Sequence, residues 1–219
     1  MNEYQLEQIN ALQMVRQHIN AGYGTSSPEP GQISNLSPET EIKHELRRYH
    51  DFRTRTAEFH QAHFEQTCTE KCYFNNLSAC CSKDGIIVFF ADVVINSLAA
   101  SAAELDLLEH AIAHPVSHGK CIFLTHKGCL WRIKPIVCEM FVCQTAKNAA
   151  FENDPQAAEQ WEAFEKERKT FTWPDQPVLF EYLERLFLDL GAESSLMHIH
   201  KSPGLLRIKK NREAASRPA

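Results

Sequence analysis

A chain of 219 residues that is 43% hydrophobic and 23% charged has the make-up of one globular domain with helical appendages, which excludes a fibrous, collagenous or wholly disordered protein. Its formal charge of −5 offers no general attraction to nucleic acid, and no run of about 18 apolar residues is present to span a bilayer. All eight cysteines lie between Cys68 and Cys143; in a domain large enough to build its own core, such clustering points to ligation rather than to stapling by disulfides.

Leu6, Ile9, Leu12, Val15 and Ile19 recur at helical spacing and predict an amphipathic N-terminal helix within residues 1–21, ended by Asn20-Ala21-Gly22. Residues 22–37 hold Gly, Ser and Pro with little apolar content and read as a flexible linker, so the first helix is expected to dock loosely or to serve a protein partner. A single globular domain is expected over 38–195. It begins with Ser37-Pro38-Glu39, which supplies a cap, a first-turn proline and a first-turn acid. Ile42, Leu46, Tyr49, Phe52 and Phe59 follow on one face, so this helix runs to about Gln66 and leads into Cys68.

The stretch Gly85 to Ile95 is β-branched enough for a strand and long enough for a buried helix, and helix is the expectation. Ser101 and Glu104 form a capping box for a helix through Leu105, Leu108 and Ile112 that His114-Pro115 stops. Cys121 to Trp131 reads as two short apolar runs about a Lys127-Gly128 turn, a hairpin that brings Cys121 and Cys129 together. Two helices complete the domain. The first is a charged one from Pro155 to about Lys169, anchored by Trp161 and Phe164. In the second, from Pro177 to Leu190, Val178, Leu179, Tyr182, Leu183, Leu186, Phe187 and Leu190 make a core stripe that ends at Gly191. Residues 196–219 form a basic tail carrying Arg207, Lys209, Lys210, Arg212 and Arg217; with no aromatic residue among those charges it reads as solvated, not as a nucleic-acid site. The expected fold is mainly α with a small β-hairpin, its irregular cysteine-rich metal-binding core flanked by helices.

The cysteines fall into two groups, Cys68, Cys72, Cys80 and Cys81, then Cys121, Cys129, Cys138 and Cys143. Met1 to Gln8 lacks the basic and apolar regions of a secretory signal, which predicts a cytoplasmic chain whose thiols stay reduced. A site of four thiolates around Zn2+ carries net negative charge, and Lys71, Lys83, Lys120, Lys127, Arg132 and Lys134 are interleaved to offset it. Adjacent side chains diverge on any regular backbone, so Cys80-Cys81 serves two metals, or a metal and a second role, more readily than one tetrahedral ion. All eight are candidate ligands, and two sites, one per group, make the simplest partition. There is no CxxC knuckle, no CxxCxxC run and no CxxxCxxC signature, so Zn2+ and an iron-sulfur cluster both remain open.

Cys68-x3-Cys72, Cys80-Cys81, Cys121-Ile-Phe-Leu-Thr-His-Lys-Gly-Cys129 and Lys134-Pro135-Ile-Val-Cys138-Glu-Met-Phe-Val-Cys143 occur in an order that resembles the YkgJ-type cysteine-cluster family, described as zinc- or iron-chelating. The resemblance covers residues 68–143. It departs in a longer loop between Cys72 and Cys80 and in Lys134-Pro135 and Cys138-Glu139 where the family carries Arg-Pro and Cys-Arg. It implies metal binding through the cysteines. A related cluster occurs in flagellin lysine methylases, which implies methyl transfer as an alternative, although no GxGxxG loop is present to hold a nucleotide-like cofactor.

Pro115 interrupts the helical repeat of His110, His114 and His118, which therefore read as a solvated helix end; His118 or His126 are replacement ligands beside Cys121 and Cys129. His60 and His63 are expected at the surface of the long helix, and His198 and His200 form a fortuitous pair. Eight clustered thiols argue against Cys129 with His126 as a lone nucleophile and base, and no GxSxG, HExxH or GxxxxGK[ST] motif is present. The functional expectation is a metal-binding protein with a cysteine-ligated iron-sulfur or zinc centre. The alternatives are a cluster-dependent redox or methyl-transfer enzyme and a protein-interaction module with structural zinc.

Overall fold

The computed structural model describes residues 3–20, 38–68, 70, 87–115, 121–125, 128–173 and 178–198. The expected linker, the basic residues of the tail, and Cys72, Cys80, Cys81, His118, His126 and His200 lie outside them. The protein is mainly helical with one small antiparallel hairpin. Among the described residues no helix is long and apolar enough to cross a membrane.

Helix α1 (Glu3–Asn20) buries Ala11, Leu12 and Val15 against α4 (Phe90–Ala99) and α5 (Ala102–Ala113). Arg16 reinforces this docking by pairing with Asp106 at 2.7 Å and Glu109 at 3.1 Å on α5. Leu12 and Val15 of the expected apolar face are thus covered by the chain's own helices, while Leu6 is 44% exposed.

Helix α2 (Pro38–His63) stops just short of the expected end, and a single turn, α3 (Glu65–Thr67), carries the chain to Cys68. α2 packs against α8 (Pro155–Thr172) and α9 (Leu179–Asp189) through an aromatic core in which Phe52, Phe164 and Phe171 meet, with Tyr49 edge-on to Phe171 and Phe180. His60 belongs to this core: its ring stands edge-on to Phe64 at 5.1 Å and Trp161 at 5.5 Å, and burial lowers its pKa. His63 lies over Phe59 at 4.2 Å. Their surface assignment fails for His60, because one helical turn of α2 faces Trp161 there.

Residues 90–99 form a helix. Phe90 to Ser97 are all buried, so α4 is apolar around nearly its whole circumference and shows β-branched composition without helical periodicity. Helix α5 begins at the expected capping box: Ser101 Oγ accepts from Glu104 N–H at 3.3 Å, and Glu104 Oε2 accepts from Ser101 N–H at 2.7 Å. Ser101→Ala is expected to lower stability by about 1 kcal/mol, read as a shift in the denaturant midpoint without a change in slope.

Two helices that no pattern announced, α6 (Ile136–Met140) and α7 (Gln144–Phe151), follow the hairpin. On α9 the buried stripe is Leu179, Phe180, Leu183 and Phe187, while Leu190, expected in the core, is 47% exposed. The helix has ended there. Gly191 adopts φ +79°, its N–H bonds Leu188 C=O, and Ala192 N–H bonds Phe187 C=O, a left-handed termination that suits glycine. The chain then returns to the core: Leu196 and Met197, expected at the head of the tail, are buried, and Leu196 C=O accepts from Phe90 N–H at 3.1 Å.

Candidate functional site

The five described cysteines sit at five separate places along the chain. Cys68 closes the turn after α2, with its N–H bonded to Phe64 C=O at 2.8 Å. Cys121 precedes β1 (Leu124–Thr125), and Cys129 ends β2 (Gly128–Cys129). Cys138 lies within α6, and Cys143 is the residue before α7. Cys129 is exposed; the other four are half-buried, and Cys68, Cys121 and Cys143 pack against the hydrophobic core.

The expected hairpin is present. Its register pairs Leu124 with Cys129 and Thr125 with Gly128, and Leu130 N–H bonds Phe123 C=O at 2.9 Å. Gly128 takes φ +107°, which permits the tight reversal. Phe123 and Trp131, both buried, meet edge-on at 5.5 Å and anchor the two arms to the core. Cys129 therefore lies opposite Leu124, with Cys121 three residues before that pair.

The motif around Cys138 is held by side chains from two other helices. Asn96 Oδ1 accepts from Ile133 N–H at 3.0 Å, Arg53 Nη2 donates to Lys134 C=O at 2.8 Å, and Asp92 Oδ1 accepts from Ile136 N–H at 3.0 Å. Pro135 has no N–H to satisfy. Its position before α6 leaves Ile136 N–H, the first amide of that helix, for the Asp92 carboxylate. Arg53 also donates to Tyr49 Oη at 2.8 Å and to Glu139 Oε2 at 3.3 Å, while Lys134 Nζ approaches the same oxygen at 3.6 Å. Tyr49, Arg53, Asp92, Asn96 and Glu139 are all buried.

Sequence reasoning placed counter-charge beside the thiols but missed this network. Of the six expected cations, Arg132 and Lys134 are described, and both engage carboxylates, Arg132 with Glu104 at 4.0 Å. The signal that could have found Arg53, Asp92 and Asn96 was a polar residue recurring inside an otherwise apolar helix face.

Burial raises the Asp92 pKa to about 6, against the lowering effect of the two amide N–H groups and of Arg53. A carboxyl whose folded value lies above its unfolded one adds stability that is fully present below the unfolded value, near 3.8, and is lost as pH rises through about 6. The whole effect amounts to about 3 kcal/mol at 1.36 kcal/mol per unit. Unfolding free energies of the wild type and Asp92→Asn between pH 5 and 8 are expected to converge toward high pH as this contribution disappears from the wild type.

Among the described residues, no three His, Cys, Asp or Glu side chains come together to hold a metal ion. Cys121, Cys129, Cys138 and Cys143 are all described, and no three of them come together in this structure. The donor chemistry of these thiols fits zinc or iron. His110 and His114 stack with ring centroids 4.4 Å apart, both exposed, as a solvated helix end would have them. No family model, curated protein or solved structure matches the chain.

Proposed function

We propose that this is a metal-binding protein whose centre, iron-sulfur or zinc, is ligated by cysteines drawn from both groups. The reading accords with the resemblance to the YkgJ-type family. The observation that carries it is the fixing of the chain just before Cys138: Asn96, Arg53 and Asp92, all buried, satisfy successive backbone groups of Ile133, Lys134 and Ile136. Burying three polar side chains costs more than an apolar filling would, and such a network holds one backbone geometry. Metal ligation needs that geometry, since ligand positions tolerate only small errors.

Cys138 lies within α6 and Cys143 three residues beyond its end, and the hairpin carries Cys129 with Cys121 just before it; in this reading they supply thiolates together with Cys68, Cys72, Cys80 and Cys81. When bound, a thiolate-held metal cross-links these segments. The reading requires a reducing compartment, such as the cytoplasm, where thiols persist.

Metal and acid-labile sulfide per chain, measured on protein purified without oxygen, test it. Iron with equal sulfide establishes a cluster, and zinc without sulfide establishes a structural site. Neither metal, with the thiols free or paired with one another, overturns it.

A further inference from the structure

Helices α2 and α8 meet through Phe52, Phe59, Trp161 and Phe164, yet their outward faces do not close over that contact. Between them lies a groove of about 340 Å3, at the small end of the clefts that take a ligand or an anchoring side chain. Its floor is Phe59 and Phe164, 4% and 3% exposed and edge-on to each other at 5.6 Å. Its walls are Ala62 on α2 and Ala163 on α8, both exposed. A larger side chain at either position would fill the cleft, so the two alanines keep it open.

Two side chains lie on the floor rings. Arg55 stands over Phe164 at 5.7 Å and pairs with Glu167, so these two charges neutralise each other within the groove, and His63 lies over Phe59 at 4.2 Å. What remains is acidic. Glu58 lines the groove, and Asp51 and Glu159 each stand one helical turn from a lining residue, Arg55 and Ala163. All three are exposed, and none has an ion partner among the described residues. An apolar trough edged by unpaired carboxylates repels anionic partners and suits a side chain with an apolar stem and a cationic end. Lysine and arginine are built that way.

We propose that the groove between α2 and α8 is a docking site for a lysine- or arginine-bearing segment of a partner protein. The stem of the basic side chain lies over Phe59 and Phe164 between Ala62 and Ala163, and its charged end meets Glu58. No cysteine among the described residues lines the groove, and the site stands independently of the metal-binding reading.

Full-length protein is titrated into a labelled amphipathic peptide of leucine and lysine, and into the same peptide with glutamate for lysine, with binding read by fluorescence anisotropy and located by amide shifts. The lysine peptide is expected to bind, more weakly as salt shortens the screening length toward about 3 Å at 1 M, with its largest shifts in residues 55–63 and 160–167. Glu58→Lys reverses the charge at the rim, and Ala163→Trp fills the cleft without changing charge; each is expected to lower affinity about tenfold. Asp189→Lys makes the same charge change at the end of α9, past Phe187, which meets α4 and α1, and is expected to leave affinity nearly unchanged. Equal weakening in Glu58→Lys and Asp189→Lys would show a general attraction to an acidic chain and overturns the site. Wild-type affinity in Ala163→Trp, equal binding of the glutamate peptide, or no binding of the lysine peptide overturns it too. Self-association of the chain that Glu58→Lys abolishes assigns the groove to a second copy and overturns a separate partner. If Ala163→Trp does not fold, as judged by far-UV circular dichroism, Glu58→Lys against Asp189→Lys decides.

Discussion

Chelating the metal from the loaded protein is expected to lower amide protection in residues 121–143 more than in the helical core. The secondary structure there is slight, and apart from a metal it is tied down by buried Phe123 and Trp131 and by bonds from Arg53, Asp92 and Asn96. The hairpin has two paired positions and α6 has five residues. An isolated helix shorter than about 12–15 residues is marginal in water, and a lone two-stranded hairpin is no better. Bound structural zinc contributes roughly 10–16 kcal/mol of apparent free energy in small sites, comparable with the roughly 5–15 kcal/mol that holds a whole domain. The aromatic packing of α2, α8 and α9 does not involve the cysteine segments, so far-UV circular dichroism is expected to fall only in part. Amide hydrogen exchange with and without chelator locates the loss. Equal protection in residues 121–143 after demonstrated metal removal would falsify the structural role of the metal.

Replacing Arg53 by alanine is expected to cost about 3–5 kcal/mol, the penalty for breaking a buried ion pair by removing one partner. Arg53 is 7% exposed and Glu139 4%, so solvent screens the pair little. The substitution takes a donor from Tyr49 Oη, from Lys134 C=O and from Glu139 Oε2 together, and leaves the half-exposed Lys134 ammonium, 3.6 Å away, as an ion partner of Glu139. Denaturant unfolding should show a lower midpoint at constant slope, and the melting temperature should fall by about 10 °C for a chain of this size. The double variant Arg53→Met, Glu139→Gln is expected to recover much of the loss, because it removes both charges and keeps the volume. A single-variant cost under about 1 kcal/mol would show that the network contributes little to folding.

Helices α1, α2, α5, α8 and α9 were legible because each shows a boundary signal or a one-sided apolar face. Ser101 with Glu104 is a cap that works through neighbouring backbone alone, and it bonds as its sequence position requires. α4 was ambiguous for a physical reason: buried on nearly every side, it has no polar face to reveal its period. α6 was invisible because its first amide is satisfied by Asp92, far away in the chain, and no local pattern encodes that bond. His60 was read as a surface residue because its neighbour Trp161 comes from another helix.

Local periodicity, turn chemistry and composition were enough to make the chain mainly helical, to put a hairpin between Leu124 and Cys129, and to confine the eight cysteines to Cys68–Cys143. Only the tertiary structure decided that α1 belongs to the core, that the second cysteine group does not bring three of its thiols together, and that Arg53, Asp92 and Asn96 hold the chain before Cys138. Those outcomes turn on which distant backbone groups a buried side chain meets, and the energy of leaving such groups unpaired is settled only when the helices have packed.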